Sequence, residues 1–210
     1  MIRNIVFGGC SYTWGQSLHH FHSEEPPTPE KSGTFFDGDS LKYWEYQDNV
    51  NRRFSTRVAD YFGRKPIVDT MNGGSTWSIH KHILESVDEF TDLIFVQTTN
   101  FGRNMEDWRK IPIESQVKMY EELVDYSSKK NIPIIFIHWD WPNGFEIPTS
   151  IKNKTIKIDG KYTFWHWTED EKFRVNEVDS HFNKRAHRKI SKIIIRYIEN
   201  NNILKKYSYE

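Results

Sequence analysis

The sequence predicts an α/β protein of three layers, with a mostly parallel sheet of about five strands between helices, built as one domain over residues 1–210. Three observations predict it. Short apolar runs of strand length alternate with segments whose apolar residues recur every three or four positions. Alternation of that kind implies crossover connections, hence parallel strands with helices on both faces. Finally, 210 residues with a single cysteine suit one core that relies on neither disulfides nor metal.

The elements follow in order. Residues 2–7 are an apolar run ended by glycines, which reads as a first buried strand with a sharp turn at the carboxyl edge of the sheet. From His19 to Asn51 the chain is rich in Pro, Ser, Gly and acidic residues without a period, so a long loop insertion is expected over about 19–51. Phe54, Val58 and Tyr61 mark a helix capped near Gly63, and Pro66–Thr70 a second strand. Ile79, Ile83 and Val87 mark another helix face, and Leu93–Gln97 a third strand. Glu114–Lys130 is a helix with Val117, Tyr120 and Val124 on one side, and Pro133–His138 a fourth strand. The pattern then breaks. Thr155–Ile158 and Lys161–Phe164 flank Asp159-Gly160, a hairpin signal within an insertion of about 151–167. Ile190, Ile193, Ile194, Tyr197 and Ile198 form the stripe of a last helix, about Lys184 to Asn200, followed by a frayed tail over Lys205–Glu210.

Lysines plus arginines number 29, and aspartates plus glutamates 29, so no net field draws the chain to nucleic acid or to an anionic membrane. Any partner has to be recognised locally. One cysteine, Cys10, marks no oxidising compartment. The first apolar run is too short for a signal-peptide core or a membrane span, so a cytoplasmic or virion-associated protein is expected. Aromatic residues make up 15% of the chain, with eight Trp; they are either sugar or base platforms or buried anchors of long loops.

Two segments carry chemistry. Gly9-Cys10-Ser11-Tyr12-Thr13-Trp14-Gly15 follows the first strand, where glycines permit a tight turn that stands a serine hydroxyl above the sheet beside free N–H groups. Ser11 and Thr13 as mere helix caps remain the alternative. Asp179-Ser180-His181 precedes the last helix, and an acid two residues before a histidine can hold one imidazole nitrogen while the other meets a nucleophile. The alternative there is a capping Asp179 and a surface His181.

Together the two segments resemble the SGNH/GDSL hydrolase family, whose first block is Gly-Asp-Ser-x-Thr-x-Gly and whose last carries Asp and His before the final helix. Gly9, Ser11, Thr13 and Gly15 match the first block, and Cys10 stands where the family has aspartate. In the last block one residue instead of the usual two separates Asp179 from His181, and Phe182 replaces proline. Asn72-Gly73-Gly74-Ser75 is similar to the second block and Gln97-Thr98-Thr99-Asn100 to the third. The resemblance implies a flavodoxin-like sheet, a triad of Ser11, His181 and Asp179, and an oxyanion site from the N–H groups of Ser11 and Gly74 with the Asn100 amide. A shifted alignment moves the Gly74 role to Met71 or Gly73.

Other candidates stay open. Cys10 is an alternative nucleophile. Arg103 either meets an anionic group of the substrate or pairs with Glu106. His19, His20, His22, His80, His82 and the His138/Asp140 pair show no zinc-enzyme spacing, and residues 80 and 82 point apart on a helix, so no metal or other cofactor is expected. The reading is a serine esterase or deacylase working through an acyl-enzyme on an O-acyl, or O-acetyl, group of a carbohydrate or similar small-molecule or glycan ester. The alternatives are a non-catalytic carbohydrate-binding or virion structural protein of the same fold, and an O-acyltransferase using the same triad.

Overall fold

The computed structural model describes residues 2–10, 13, 53–68, 75–101, 105–106, 109–174 and 182–205. Ser11, Gly74, Arg103, Asp179 and His181, the long insertion of about 19–51, and positions 206–210 lie outside the described residues. Four strands, β1 (Asn4–Gly8), β2 (Lys65–Val68), β3 (Thr91–Thr98) and β6 (Ile134–His138), form one parallel sheet in the order β2-β1-β3-β6. β4 (Met105–Glu106) and β5 (Arg109–Lys110) pair separately and antiparallel. Three long helices follow strands, α1 (Phe54–Tyr61), α2 (Thr76–Ser86) and α3 (Ile113–Lys130). Short α4 (Thr149–Lys152) and α5 (His166–Glu169) precede the last helix, α6 (Lys184–Asn200).

Strand side chains alternate between faces, and here both faces are covered. Ile5 and Phe7 of β1, Leu93 and Phe95 of β3, and Ile135 and Ile137 of β6 enter one cluster with Phe54, Val58, Ile190, Ile194 and Ile198 of α1 and α6. Val6, Ile94, Val96, Ile134 and Phe136 enter another with Ile79, Ile83, Tyr120 and Leu123 of α2 and α3. Continuous apolar runs are what a parallel sheet buried on both faces requires. Each such side chain contributes about 1.5–3 kcal/mol of burial.

The last helix occupies Lys184–Asn200 as expected, with Ile190, Ile194 and Ile198 fully buried and Ile193 and Tyr197 packed at the flank. The expected fifth place in the sheet is filled without a regular strand: Thr155 bridges Phe136, and Thr163 bridges His138, along the outer edge of β6. Between those bridges the chain reverses at Asp159-Gly160, with φ of 51° and 79°, the two positive values a type I′ turn demands. Ile158 and Lys161 exchange hydrogen bonds of 2.8 and 3.0 Å across it. The arms form no longer ladder with one another because β6 takes their hydrogen bonds, Ile156 N–H to Phe136 O and Phe164 N–H to His138 O. Asp159 also accepts from Trp167 Nε1 (2.9 Å) and pairs with Lys189 (3.0 Å), tying this insertion to α6. Among the described residues no helix is long and apolar enough to cross a membrane.

Candidate active site at the carboxyl edge of the sheet

Open parallel sheets bind ligands beyond the carboxyl ends of their strands, and the segments with candidate chemistry leave the strands at that edge. Ser11 follows β1, Gly74 follows β2 and Asn100 follows β3. Of the expected site residues, Asn100 is described; it is half-buried after the fully buried Thr98 and Thr99. Cys10, Ser75 and Phe182, which adjoin Ser11, Gly74 and His181 in the chain, are described, and three polar clusters lie at or beside them.

The first cluster lies under the Ser11 segment. Thr13 N–H donates to Cys10 O (2.9 Å). The Thr13 hydroxyl donates to Gln97 Oε1, and Gln97 Nε2 donates to Cys10 Sγ (3.1 Å). One buried amide therefore ties Cys10 to Thr13. Glycine is required here: a Cβ on Gly9 would sit 2.1 Å from Thr13 Oγ1 and 2.6 Å from its Cβ. One on Gly8 would sit 2.7 Å from Ile83 of α2. Cys10 itself points into the core with Phe7, Trp139 and Phe182, fully buried. That orientation removes it from contact with a substrate at the edge.

The second cluster links the segments bearing Gly74 and Asn100. Ser75 caps α2 by accepting from Ser78 N–H (3.2 Å). Thr76 donates to Gln116 Oε1 (3.2 Å) and meets the Tyr120 hydroxyl (3.2 Å), which accepts from Thr99 N–H (3.4 Å). Gln116 Nε2 reaches the carbonyls of Phe101 (3.2 Å) and Ile111 (2.8 Å). Burial pushes the Tyr120 hydroxyl above the ordinary tyrosine range, so it stays protonated as a hydrogen-bonding strut. Beside it, His138 ends β6. The Thr155 hydroxyl donates to Ile151 O, so it accepts from His138 Nε2–H (3.0 Å), leaving Nδ1 to accept from Thr98 (3.2 Å). Burial lowers His138 to about 3, and its ring abuts Trp141 at 4.8 Å, which abuts Phe101 at 5.1 Å.

The third cluster clasps the ends of the segment bearing Asp179 and His181. Arg174 bridges Phe182, and Asn183 N–H donates to Phe173 O (2.9 Å). The Asn183 amide donates to Lys172 O and Arg174 O, both 2.9 Å, while its carbonyl caps α6 by accepting from Arg185 and Ala186 N–H. Phe182, next to His181, and Cys10, next to Ser11, share one buried cluster.

The bracing roles of Gln97, Gln116 and Asn183 are not signalled by any motif in the sequence. Gln97 shares strand parity with Leu93 and Phe95, and a polar residue at a core position requires a buried partner; that parity was the available signal. The other histidines go separate ways: His80 pairs with Glu122 (3.2 Å) and His82 with Ser86 (3.2 Å), on different sides of α2. Burial lowers His80 below its usual range against the opposing pull of Glu122. Of the tryptophans, Trp139, Trp141 and Trp167 are buried anchors, whereas Trp165 is 43% exposed and packs on Trp139 at 5.3 Å.

No protein-family model and no curated protein matches the sequence. Among solved structures, the chain is similar to a lipase/acylhydrolase from Enterococcus faecalis, with a TM-score of 0.54 and 17% identity over 99% of this chain and 100% of that one. It is also similar to an acetyl xylan esterase, AlAXEase, with a TM-score of 0.50 and 11% identity over 93% of this chain and 99% of that one. At such identities the likeness establishes the fold, the three-layer α/β arrangement of SGNH/GDSL hydrolases.

Proposed function

We propose that the protein is a serine ester hydrolase acting on O-acyl groups of a polar substrate, with carbohydrate O-acetyl esters the preferred class. The observation that carries this reading is that polar networks, two of them buried, hold described residues next to the four segments. Separate networks brace the flanks of Ser11, of Gly74 and Asn100, and of Asp179 and His181. Precise bracing is what a catalytic constellation needs. The two solved structures above, a lipase/acylhydrolase and an acetyl xylan esterase, share this fold and support an ester substrate.

In this mechanism His181 Nε2 takes the proton of the Ser11 hydroxyl as Oγ attacks the ester carbonyl carbon, and Asp179 holds the other imidazole nitrogen. The tetrahedral oxyanion receives N–H groups of Ser11 and Gly74 and the Asn100 side-chain amide. Collapse breaks the bond to the alcohol oxygen, which leaves with the proton from His181. Water, deprotonated by the same imidazole, attacks the acyl-enzyme, and the acid departs as Ser11 regains its proton. Trp165, exposed next to the end of β6, supplies an apolar face on which a sugar ring can rest.

The test is hydrolysis of p-nitrophenyl acetate by the full chain and by Ser11→Ala, with a fluorophosphonate label to locate the nucleophile. Loss of turnover in Ser11→Ala and labelling at Ser11 are expected. Equal rates for the two proteins, or no labelling, would return the chain to the non-catalytic reading.

A further inference from the structure

The chain carries no net charge, yet α6 has a strongly basic side. Lys184, Arg185, Arg188, Lys192 and Arg196 fall within one sector of the helix, opposite the buried Ala186, His187, Ile190, Ile194 and Ile198. Arg185, Arg188, Lys192 and Arg196 are exposed. None of these five makes an ion pair among the described residues, in contrast to Arg3, Arg64, Lys172 and Lys189, which all have carboxylate partners. Five cations in one sector with no ion pair among the described residues repel one another, and an anionic partner relieves that repulsion.

The surface there is also shaped. A cleft of about 560 Å³ is lined by Lys172, Asn183, Lys184, Arg185 and Arg188. A second, of about 880 Å³, runs between α6 and α1 beside Arg57, Arg188, Lys192 and Arg196. Arg188 lines both, so the two clefts adjoin at its side chain and together make up the trough along α6. From Lys184 to Arg196 it follows the helix for about 18 Å. Its carboxylates are Asp60 and Glu199, and Glu199 already accepts the Tyr61 hydroxyl at 2.6 Å.

We propose that this trough binds an anionic polysaccharide, carrying the polymer along α6 away from the candidate active site. An open groove of this length suits an extended chain better than a compact ligand. Single-stranded nucleic acid would use aromatic platforms beside the cations. The one aromatic lining the clefts among the described residues, Tyr61, is committed to Glu199 and set edge-on to Phe62. Proximity to chemistry supports a substrate role: the trough opens at Asn183 and Lys184, just after the Asp179/His181 segment. The inference rests on the esterase reading for its substrate, and it makes that substrate an acylated acidic glycan.

The test uses the full chain with end-labelled polygalacturonate, neutral dextran and oligo-dT, read by fluorescence anisotropy. Polygalacturonate is expected to bind and dextran not, with affinity falling between about 50 and about 200 mM salt. Arg188→Gln/Lys192→Gln/Arg196→Gln should weaken binding by roughly a hundredfold, at about fivefold per cation. Arg188→Lys/Arg196→Lys, which keeps the charge, should retain it. All variants should hydrolyse p-nitrophenyl acetate at the wild-type rate, which also shows that they fold. Unchanged polygalacturonate binding by the triple variant, or salt-independent binding, overturns the proposal. Tighter binding of oligo-dT through the same cations makes the face a nucleic-acid surface and likewise overturns it. The two readings separate cleanly: hydrolysis without polyanion binding removes the trough alone, and trough-dependent binding without hydrolysis removes the esterase alone.

Discussion

Gln97 spends its whole side chain on holding others: its carbonyl accepts from Thr13, and its amide donates to Cys10. Replacing it with leucine leaves the Thr13 hydroxyl buried without an acceptor, a cost of about 1–3 kcal/mol. Gln97→Leu is therefore expected to lower the thermal midpoint and to reduce kcat more than KM, as misplacement of a nucleophile should. A wild-type kcat in a folded Gln97→Leu protein would divorce this cluster from catalysis. Asn100 gives a sharper test of chemistry. If its amide meets the oxyanion, Asn100→Ala should cut kcat by about 10²–10³ with little change in KM. A sugar ring resting on Trp165, as proposed, would affect binding instead. On that reading Trp165→Ala is expected to raise KM for an O-acetylated sugar oligomer while leaving p-nitrophenyl acetate turnover unchanged.

The ends of elements carry the next layer of predictions. His138 closes β6 as a neutral imidazole between Thr98 and Thr155, with burial lowering it from 6.5 to about 3. Because its folded value lies below its unfolded one, the unfolded chain binds the extra proton across that interval, and stability falls as pH drops from about 6.5 toward 3. Denaturation midpoints followed over that range should decline in the wild type and flatten in His138→Gln. At the other end of the site, Asn183 caps α6 and clasps the chain at 172 and 174. Its replacement by alanine should cost about 1–2 kcal/mol for the cap alone. Activity should fall further than Asn183→Asp, which keeps the capping oxygen while losing the donors to the two carbonyls. Wild-type activity in Asn183→Asp would show that the clasp to Lys172 and Arg174 has no bearing on His181.

For the molecule as a whole, two properties follow from arrangement. A neutral total charge conceals a basic side along α6, and its sign is felt only by a partner close enough to escape screening, about 10 Å at 0.1 M salt. Site-facing polar clusters concentrate at the carboxyl edge, and two of them, around Gln97 and Gln116, join distant segments within the core. Perturbing either should loosen several segments together. In hydrogen exchange, Gln116→Leu is expected to raise exposure jointly at residues 98–101 and at the start of α2, because Thr76, Tyr120 and Thr99 share that network.

Much of the architecture was legible in the residues. Periods of two and near 3.6 are local properties, so the bounds of α6, the strand at Leu93 and the turn at Asp159-Gly160 follow from neighbours a few positions away. The order of the Ser11, Gly74, Asn100 and Asp179/His181 segments is likewise written in the chain. Partnership is different. That Gln97 reaches Cys10 and Thr13, more than eighty positions earlier, depends on β1 and β3 being neighbours in the order β2-β1-β3-β6. That the arms beside Asp159 attach to β6, and that the cations of α6 form no ion pair among the described residues, depends equally on which faces pack. The sequence by itself determined the elements, their alternation and the order of the candidate site segments. Only the tertiary structure decided which buried polar groups satisfy one another, because a hydrogen bond needs its partner within about 3 Å in space and is indifferent to separation along the chain.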